Sequence, residues 1–112
     1  APAYCASKGG VKQLGKSFAM ACGNHGITCN AIGPGFIETA MTRMITDNPL
    51  FTNILVDRTP VGRIGAPADV ANVAAFLASD AASFMTGTIL FPDGGITAGM
   101  YSAAAAAQLA QR

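Results

Sequence analysis

Residues 24–35 read Asn-His-Gly-Ile-Thr-Cys-Asn-Ala-Ile-Gly-Pro-Gly, and the fold class follows from them. Asn24 and Gly26 are residues that end helices, so they terminate a helix that precedes them. Residues 27–32 are mostly β-branched or small, as in a short buried strand, and Gly33-Pro34-Gly35 closes that strand with a turn. A helix, a short turn and an apolar strand make half of a βαβ unit. The sequence therefore predicts an α/β fold with a parallel sheet.

Residues 3–24 are predicted to form one helix, because apolar residues recur there at spacings of three and four. Gly9, Gly10 and Gly15 interrupt it, and each lowers helix propensity by roughly 1 kcal/mol relative to alanine. Small residues at these positions indicate that another backbone packs closely against the helix.

The rest of the chain alternates short amphipathic pieces with turns. Two short helices are expected near 39–46 and 49–57, where they form a flap. A longer helix begins at Pro67 with Asp69 in its first turn, a position that favours an acidic side chain. A second strand covers 88–91 and ends in the turn Pro92-Asp93-Gly94-Gly95.

Composition indicates an incomplete core and excludes several classes of protein. Of the 112 residues, 51% are hydrophobic and 12% are charged, against about a quarter charged in an ordinary globular domain. Such a chain buries its surface against a missing segment, a partner subunit or a membrane. No apolar run reaches 18 residues, which argues against a membrane span. A net charge of +1 without a basic cluster argues against a nucleic-acid partner.

Cysteine and histidine give no metal-site pattern. Cys5, Cys22 and Cys29 form no C-x-x-C motif, and His25 has no companion ligand nearby. We therefore expect no bound metal. The cysteines are interpreted as small core residues in a reducing compartment, which predicts a cytoplasmic protein.

Tyr4 and Lys8 stand four positions apart, so they share one face of the first helix. A phenol is a poor acid–base group at neutral pH, and an ammonium group nearby favours the phenolate. Such a pair is suited to general acid–base catalysis. This spacing is common on solvent-exposed helices. The motifs that surround the pair are what make it informative.

Four motifs occur in the order found in short-chain dehydrogenases/reductases. The segment 4–11, Tyr-Cys-Ala-Ser-Lys-Gly-Gly-Val, resembles their active-site helix, and 30–35, Asn-Ala-Ile-Gly-Pro-Gly, resembles the strand end that follows it. A hydrophobic residue and a threonine come next, here Ile37 and Thr39, and Asp-Gly-Gly at 93–95 resembles the end of the last strand. The motifs span residues 1–98, which are expected to be one domain portion; the alanine-rich tail 99–112 has no assigned role.

The resemblance implies a role for each matching residue. Tyr4 would exchange the proton with the substrate, and Lys8 would hydrogen-bond the nicotinamide ribose of NAD or NADP. Pro34, Gly35 and Ile37 would line the nicotinamide, and Thr39 would reach its carboxamide or the pyrophosphate. A homo-oligomer, dimer or tetramer, is also implied, with a small molecule as substrate.

The implied fold is the C-terminal part of a Rossmann-like doubly wound parallel sheet, without the N-terminal nucleotide-binding strands. The family's G-x-x-x-G-x-G turn is absent from the 112 residues, as is the catalytic serine that precedes the tyrosine by thirteen positions. We therefore expect a fragment that is inactive alone. Two interpretations stay open: a piece of an NAD(P)-dependent enzyme, and a non-catalytic truncated or assembly fragment.

The flap indicates the substrate class. Residues 47–52 and 58–65, and the ending 93–98, resemble gluconate 5-dehydrogenases and 2-deoxygluconate dehydrogenases, which implies a sugar acid. Arg43, Arg58 and Arg63 are candidates to pair with its carboxylate, although such residues more commonly solvate the flap or tie it to the body of the protein. The string Gly-Phe-Ile-Glu-Thr at 35–39 resembles 3-oxoacyl-carrier-protein reductases, the alternative within the same family.

Overall fold

The computed structural model describes residues 1–99 and 103–111, and their contacts divide the chain into two compact units. The first unit comprises residues 1–33 and 72–90, and the second comprises 34–71 and 91 onwards. The helices are α1 (Pro2–Cys22), α2 (Arg43–Thr46), α3 (Pro49–Arg58), α4 (Pro67–Leu77) and α5 (Ala103–Ala110), and the strands are β1 (Ala31–Ile32) and β2 (Ile89–Leu90).

The first unit contains the predicted long helix and the parallel strand pair. After α1 the chain makes a 3₁₀ turn, Gly23–His25, and Gly26 ends it with a φ of 72°. This left-handed backbone is one that glycine adopts without strain. β1 and β2 pair in parallel, with Ala31 opposite Ile89 and Ile32 opposite Leu90. The predicted helix and the parallel pairing are both confirmed.

The strands are shorter than predicted. Residues 27–32 and 88–91 were expected to be extended, yet each strand has two residues, and the sheet of the described chain is this single pair. Just outside β1, side-chain hydrogen bonds add to the backbone bonds. The Asn30 amide donates to the Met85 carbonyl at 3.0 Å and accepts from the Thr88 N–H at 3.2 Å. Asn30 thus ties neighbouring segments together.

The second unit contains α2, α3, α5 and the start of α4, and side chains cap the starts of α3 and α4. The Asn48 carboxamide accepts the Leu50 N–H at 3.0 Å, which starts α3 just before Pro49. Asp69 reaches back to the Ala66 N–H at 2.7 Å and satisfies a free donor at the start of α4. The helices expected near 49–57 and from Pro67 are present, whereas the one expected near 39–46 is shorter and covers only 43–46. α5 lies against α3.

Burial confirms the incomplete core. The accessible surface is 8071 Å², whereas a folded monomer of this mass exposes roughly 5,700 Å². Among the described hydrophobic residues, only Ala19 and Ala82 are buried. Apolar side chains on α1 are exposed, including Val11, Leu14 and Phe18.

The structure corrects the interpretation of the cysteines as core residues. All three are free thiols, but Cys5 is exposed, while Cys22 and Cys29 are half-buried. Within residues 1–99 and 103–111, no helix is long and apolar enough to cross a membrane. No cluster of three His, Cys, Asp or Glu residues arranged to hold a metal ion occurs in the same ranges.

Candidate functional site

Tyr4 and Lys8 lie one helical turn apart near the start of α1, in the first unit. The Lys8 Nζ is 5.4 Å from the centroid of the Tyr4 ring, so the ammonium lies over an aromatic face. The Tyr4 side chain is exposed, and its hydroxyl has no hydrogen-bond partner in the part of the chain that the structure describes. The helix thus presents both groups together, as the spacing predicted.

The other predicted site residues lie in the second unit, beginning with the Pro34–Gly35 turn. The Gly35 N–H donates to the Pro92 carbonyl at 3.3 Å. A Cβ at position 35 would lie 2.8 Å from the Asp93 Cα and 2.9 Å from the Asp93 carbonyl oxygen. Backbone therefore packs on backbone here, and only glycine fits.

Ile37 is held by a short parallel bridge to Gly65. The Gly65 N–H donates to the Phe36 carbonyl at 2.9 Å, and the Glu38 N–H donates to the Gly65 carbonyl at 2.8 Å. The Ile37 Cδ1 would be 2.6 Å from a Cβ on residue 65, so the side chain covers the glycine directly. The Ile37 N–H points away from this bridge and has no acceptor among the described residues.

Thr39 belongs to a hydroxyl cluster that sequence reasoning did not identify. The Thr42 Oγ1 donates to the Ile37 carbonyl at 2.7 Å and accepts the Thr39 N–H at 2.8 Å. The hydroxyl oxygens of Thr39 and Thr42 are 3.2 Å apart. The Ile37 carbonyl thus accepts one bond from within the chain, and its second lone pair is available for another. In the sequence, this cluster is indicated by two threonines three positions apart, Thr39 and Thr42.

A cavity of about 170 Å³ lies within the second unit. Ile37 is the one predicted site residue on its wall, which otherwise consists of Phe36, Thr59, Val61, Arg63, Gly65, Asp69, Pro92, Asp93 and Gly94. Thr59 is buried, and its Oγ1 donates to the Leu55 carbonyl at 2.7 Å, which satisfies the end of α3. The wall is apolar apart from a few polar groups with partners of their own.

Arg63 and Asp69 form a bidentate ion pair on that wall. Arg63 donates from Nη1 and Nη2 to the two Asp69 carboxylate oxygens, at 2.8 and 3.1 Å. The hydrogen bonds from Arg63, followed by the one from the Ala66 N–H, lower the pKa of Asp69 from 3.8 to about 2. Arg63 was a candidate either to pair with a substrate carboxylate or to bond within the protein. The structure shows the bond within the protein.

The turn at 93–95 has the predicted form. The Asp93 carboxylate accepts the Thr97 hydroxyl at 2.5 Å and the Gly95 N–H at 2.8 Å. These bonds, the Thr97 hydroxyl first, lower the pKa of Asp93. Gly94 and Gly95 have φ values of 64° and 91°, a region that favours glycine.

Comparison with known proteins agrees with this architecture. A family model described as enoyl-(acyl carrier protein) reductase matches residues 1–97. Gluconate 5-dehydrogenase of Gluconobacter oxydans is 44% identical over 84% of the chain and 37% of its own length. A 3-oxoacyl-[acyl-carrier-protein] reductase of Haemophilus influenzae is also 44% identical, over 83% of the chain and 38% of its own length.

A solved structure shows the same likeness in three dimensions. The crystal structure of a gluconate 5-dehydrogenase from Burkholderia cenocepacia, in complex with NADP and tartrate, has a TM-score of 0.82 and 39% identity. The match covers 87% of this chain and 38% of that one. The prediction of a C-terminal half is therefore not supported as stated. The similarity supports a Rossmann-like α/β portion that spans less than two fifths of the relatives' length.

Proposed function

The chain belongs to the short-chain dehydrogenase/reductase family, and from that premise we propose that it is part of an NAD(P)-dependent oxidoreductase that interconverts a secondary alcohol and a ketone. One observation carries the proposal: Tyr4 and Lys8 lie together on an exposed helix face, with the Lys8 Nζ 5.4 Å from the Tyr4 ring centroid. That helix belongs to the segment that the family model matches.

Tyr4 is proposed as the acid–base group. Its exposed phenol has no partner among the described residues, so it is open to a substrate oxygen. In reduction it would donate a proton to the carbonyl oxygen, and in oxidation it would take the proton from the hydroxyl. The nicotinamide, when bound, supplies or accepts the hydride. Lys8 would hold the ribose hydroxyls through its ammonium group.

The residues of the second unit offer a polar group suited to the nicotinamide carboxamide. The Ile37 N–H lacks an acceptor among the described residues, and Ile37 is half-buried, so a carboxamide oxygen would satisfy it. Thr39 is exposed and carries a second donor. Pro34 and Gly35 would line the ring, with Gly35 held in place by the Asp93 backbone. We propose NAD or NADP as the cofactor.

We propose a sugar acid, such as gluconate or 5-ketogluconate, as the substrate. The support is the similarity to gluconate 5-dehydrogenases in sequence and structure. Because Arg63 is engaged by Asp69, the exposed Arg43 and Arg58 are the remaining candidates to pair with the substrate carboxylate. Their substitution by methionine would raise KM for gluconate if they bind it.

The alternative substrate is a 3-oxoacyl thioester on a carrier protein. The string Gly-Phe-Ile-Glu-Thr at 35–39 favours it, and a reductase of that kind is as similar in sequence as the gluconate enzyme. Turnover of 5-ketogluconate against an acetoacetyl thioester, by an enzyme that contains this chain, distinguishes the two substrates.

A non-catalytic fragment is the alternative from another class. The glycine-rich turn that binds the pyrophosphate is absent from the 112 residues, which favours this alternative for the chain alone. The coding sequence upstream discriminates between the two. A glycine-rich turn and a serine there indicate an enzyme, whereas a start codon at this point indicates a fragment.

Assembly and compartment are also proposals. The α1 surface carries exposed apolar side chains and glycines with open space around them, which suits packing against a second copy in a homo-oligomer. The free thiols of Cys5, Cys22 and Cys29 suit a reducing compartment such as the cytoplasm.

The central test is Tyr4→Phe in an enzyme that contains this chain. The substitution keeps the ring under the Lys8 ammonium and removes the phenol, so kcat is expected to fall by about 10²–10⁴-fold while affinity for NAD(P)H barely changes. Steady-state kinetics and nicotinamide fluorescence titration measure the two quantities. A variant that keeps more than about a tenth of the activity contradicts the role.

Lys8→Met provides the matched control for the charge. It is expected to weaken NAD(P)H binding, because the ammonium no longer hydrogen-bonds the ribose hydroxyls. Nicotinamide fluorescence titration measures the change in Kd. Wild-type turnover in both variants would mean that Tyr4 and Lys8 lie on the helix face without a role in catalysis.

A further inference from the structure

We propose that Thr42 is a positioning residue that holds Ile37 and Thr39 in the geometry in which they meet the nicotinamide cofactor. The inference rests on the proposed function, since it takes Ile37 and Thr39 as cofactor contacts. It states that the hydroxyl group of Thr42 holds both residues in place.

The Thr42 hydroxyl uses both its donor and its acceptor capacity on these two residues. It lies 2.7 Å from the Ile37 carbonyl and 3.2 Å from the Thr39 carbonyl. Because a hydroxyl has one proton, it donates to one of them at a time, and the shorter distance favours Ile37. Its lone pair accepts the Thr39 N–H at 2.8 Å. A single oxygen atom therefore fixes the backbone on both sides of Glu38.

The turn between Ile37 and Thr42 has two tethers, and they hold different residues. The bridge to Gly65 fixes Phe36 and Glu38 through backbone hydrogen bonds of 2.9 and 2.8 Å. Among the described residues, the backbone hydrogen bonds of Gly65 do not include Thr39. In the described chain, the backbone N–H and the hydroxyl of Thr39 bond only to Thr42.

The bond from Thr42 fixes the orientation of the Ile37 carbonyl, while the Ile37 N–H has no acceptor among the described residues. The hydroxyl thus sets the orientation in which the Ile37 backbone meets a carboxamide. It also orders Thr39 before the cofactor arrives. A binding residue that is already ordered costs less free energy on binding, so loss of the hydroxyl is expected to lower affinity.

The experiment compares Thr42→Val with Thr42→Ser in an enzyme that contains this chain. Valine keeps the shape and removes the hydroxyl, and serine keeps the hydroxyl. Thr46→Val is the matched control, because Thr46 is equally half-buried and its hydroxyl bonds only the Arg43 carbonyl, at 3.4 Å. Titration of NADH and NADPH by nicotinamide fluorescence gives Kd, and steady-state kinetics give KM and kcat.

Thr42→Val is expected to raise Kd and KM for the cofactor about tenfold, the size of one to two lost hydrogen bonds, with kcat within about twofold, because Tyr4 still transfers the proton. Thr42→Ser restores wild-type affinity. A merely structural role predicts instead that Thr42→Val and Thr46→Val lower Tm alike and leave Kd unchanged, and that result overturns the inference.

Failure of the proposed function has a different signature. A wild-type enzyme that binds neither NADH nor NADPH overturns both, whereas wild-type binding that Thr42→Val leaves intact overturns this inference alone. Hydrogen exchange at the Thr39 amide needs no variant. Protection is expected in the wild type because the N–H donates to Thr42, and exchange at the unprotected rate contradicts the proposal.

Discussion

The glycines of α1 and four glycines of the second unit, Gly35, Gly65, Gly94 and Gly95, occupy opposite environments. Apart from its own stretch of helix, a Cβ added at Gly9, Gly10 or Gly15 would have no atom of the described residues within 4 Å. A Cβ at Gly35 would meet the Asp93 Cα at 2.8 Å, and one at Gly94 would meet the Thr59 Cγ2 at 2.5 Å. The same residue type is therefore required by contacts in one region and has open space around it in the other.

This contrast shows that the two regions depend to different degrees on contacts from outside this chain. The turns of the second unit are held by contacts within the chain, so their geometry is self-contained. The helix that carries Tyr4 and Lys8 instead exposes Val11, Leu14 and Phe18, and its glycines cost helix propensity without a contact in return. The acid–base helix therefore has a surface that suits an additional partner.

Gly35→Ala is expected to have the largest effect on stability. The φ of Gly35 is not positive, so alanine meets no backbone strain and the close contact with Asp93 is the only obstacle. Such overpacking costs about 1–3 kcal/mol. Urea denaturation of the variant and the wild type measures the change, and Gly9→Ala is the control. Equal midpoints for Gly35→Ala and the wild type contradict the backbone contact.

Gly10→Ala is expected to have a smaller effect, with a sign that depends on what covers α1. In this chain alone, alanine should stabilise the helix by about 1 kcal/mol through its propensity. In an assembled enzyme whose α1 packs against another backbone, the added methyl should weaken assembly instead. Urea denaturation tests the first expectation and sedimentation the second. Unchanged assembly argues against the proposed glycine contact.

Asp69→Asn is expected to have the smallest effect, and it depends on pH. Because the pKa of Asp69 is lowered from 3.8 to about 2 by Arg63 and the Ala66 N–H, the folded state favours the carboxylate. Its stabilisation is complete above about pH 4 and is lost as pH falls towards 2. Both side chains are solvent-exposed, so the contribution is modest.

Urea midpoints measured from pH 7 down to 2 follow this contribution. The wild type should lose more stability than Asp69→Asn as the pH falls through that window, because asparagine has no proton to gain. Parallel pH profiles of the two proteins would mean that the ion pair adds nothing to folding. Arg63→Met, which removes the other partner, should give a profile between the two, because Asp69 still titrates and still accepts the Ala66 N–H.

The sequence predicted the elements whose signals are local. The period of apolar residues predicted α1, and Pro67 with Asp69 predicted the start of α4. Strand lengths were wrong, since the extent of a strand depends on its neighbours in the sheet. The cysteine pattern predicted burial for Cys5, yet Cys5 is exposed, because helix period does not tell which face of α1 is covered.

By itself the sequence determined the α/β class and the Tyr4–Lys8 pair, since both depend on spacings along a single helix or strand. Only the tertiary structure decided that Arg63 binds Asp69 and that Gly35 must be glycine. Tertiary contact likewise revealed Thr42 as the link between Ile37 and Thr39. Chain folding sets which donor meets which acceptor, because a bond requires two groups within about 3 Å.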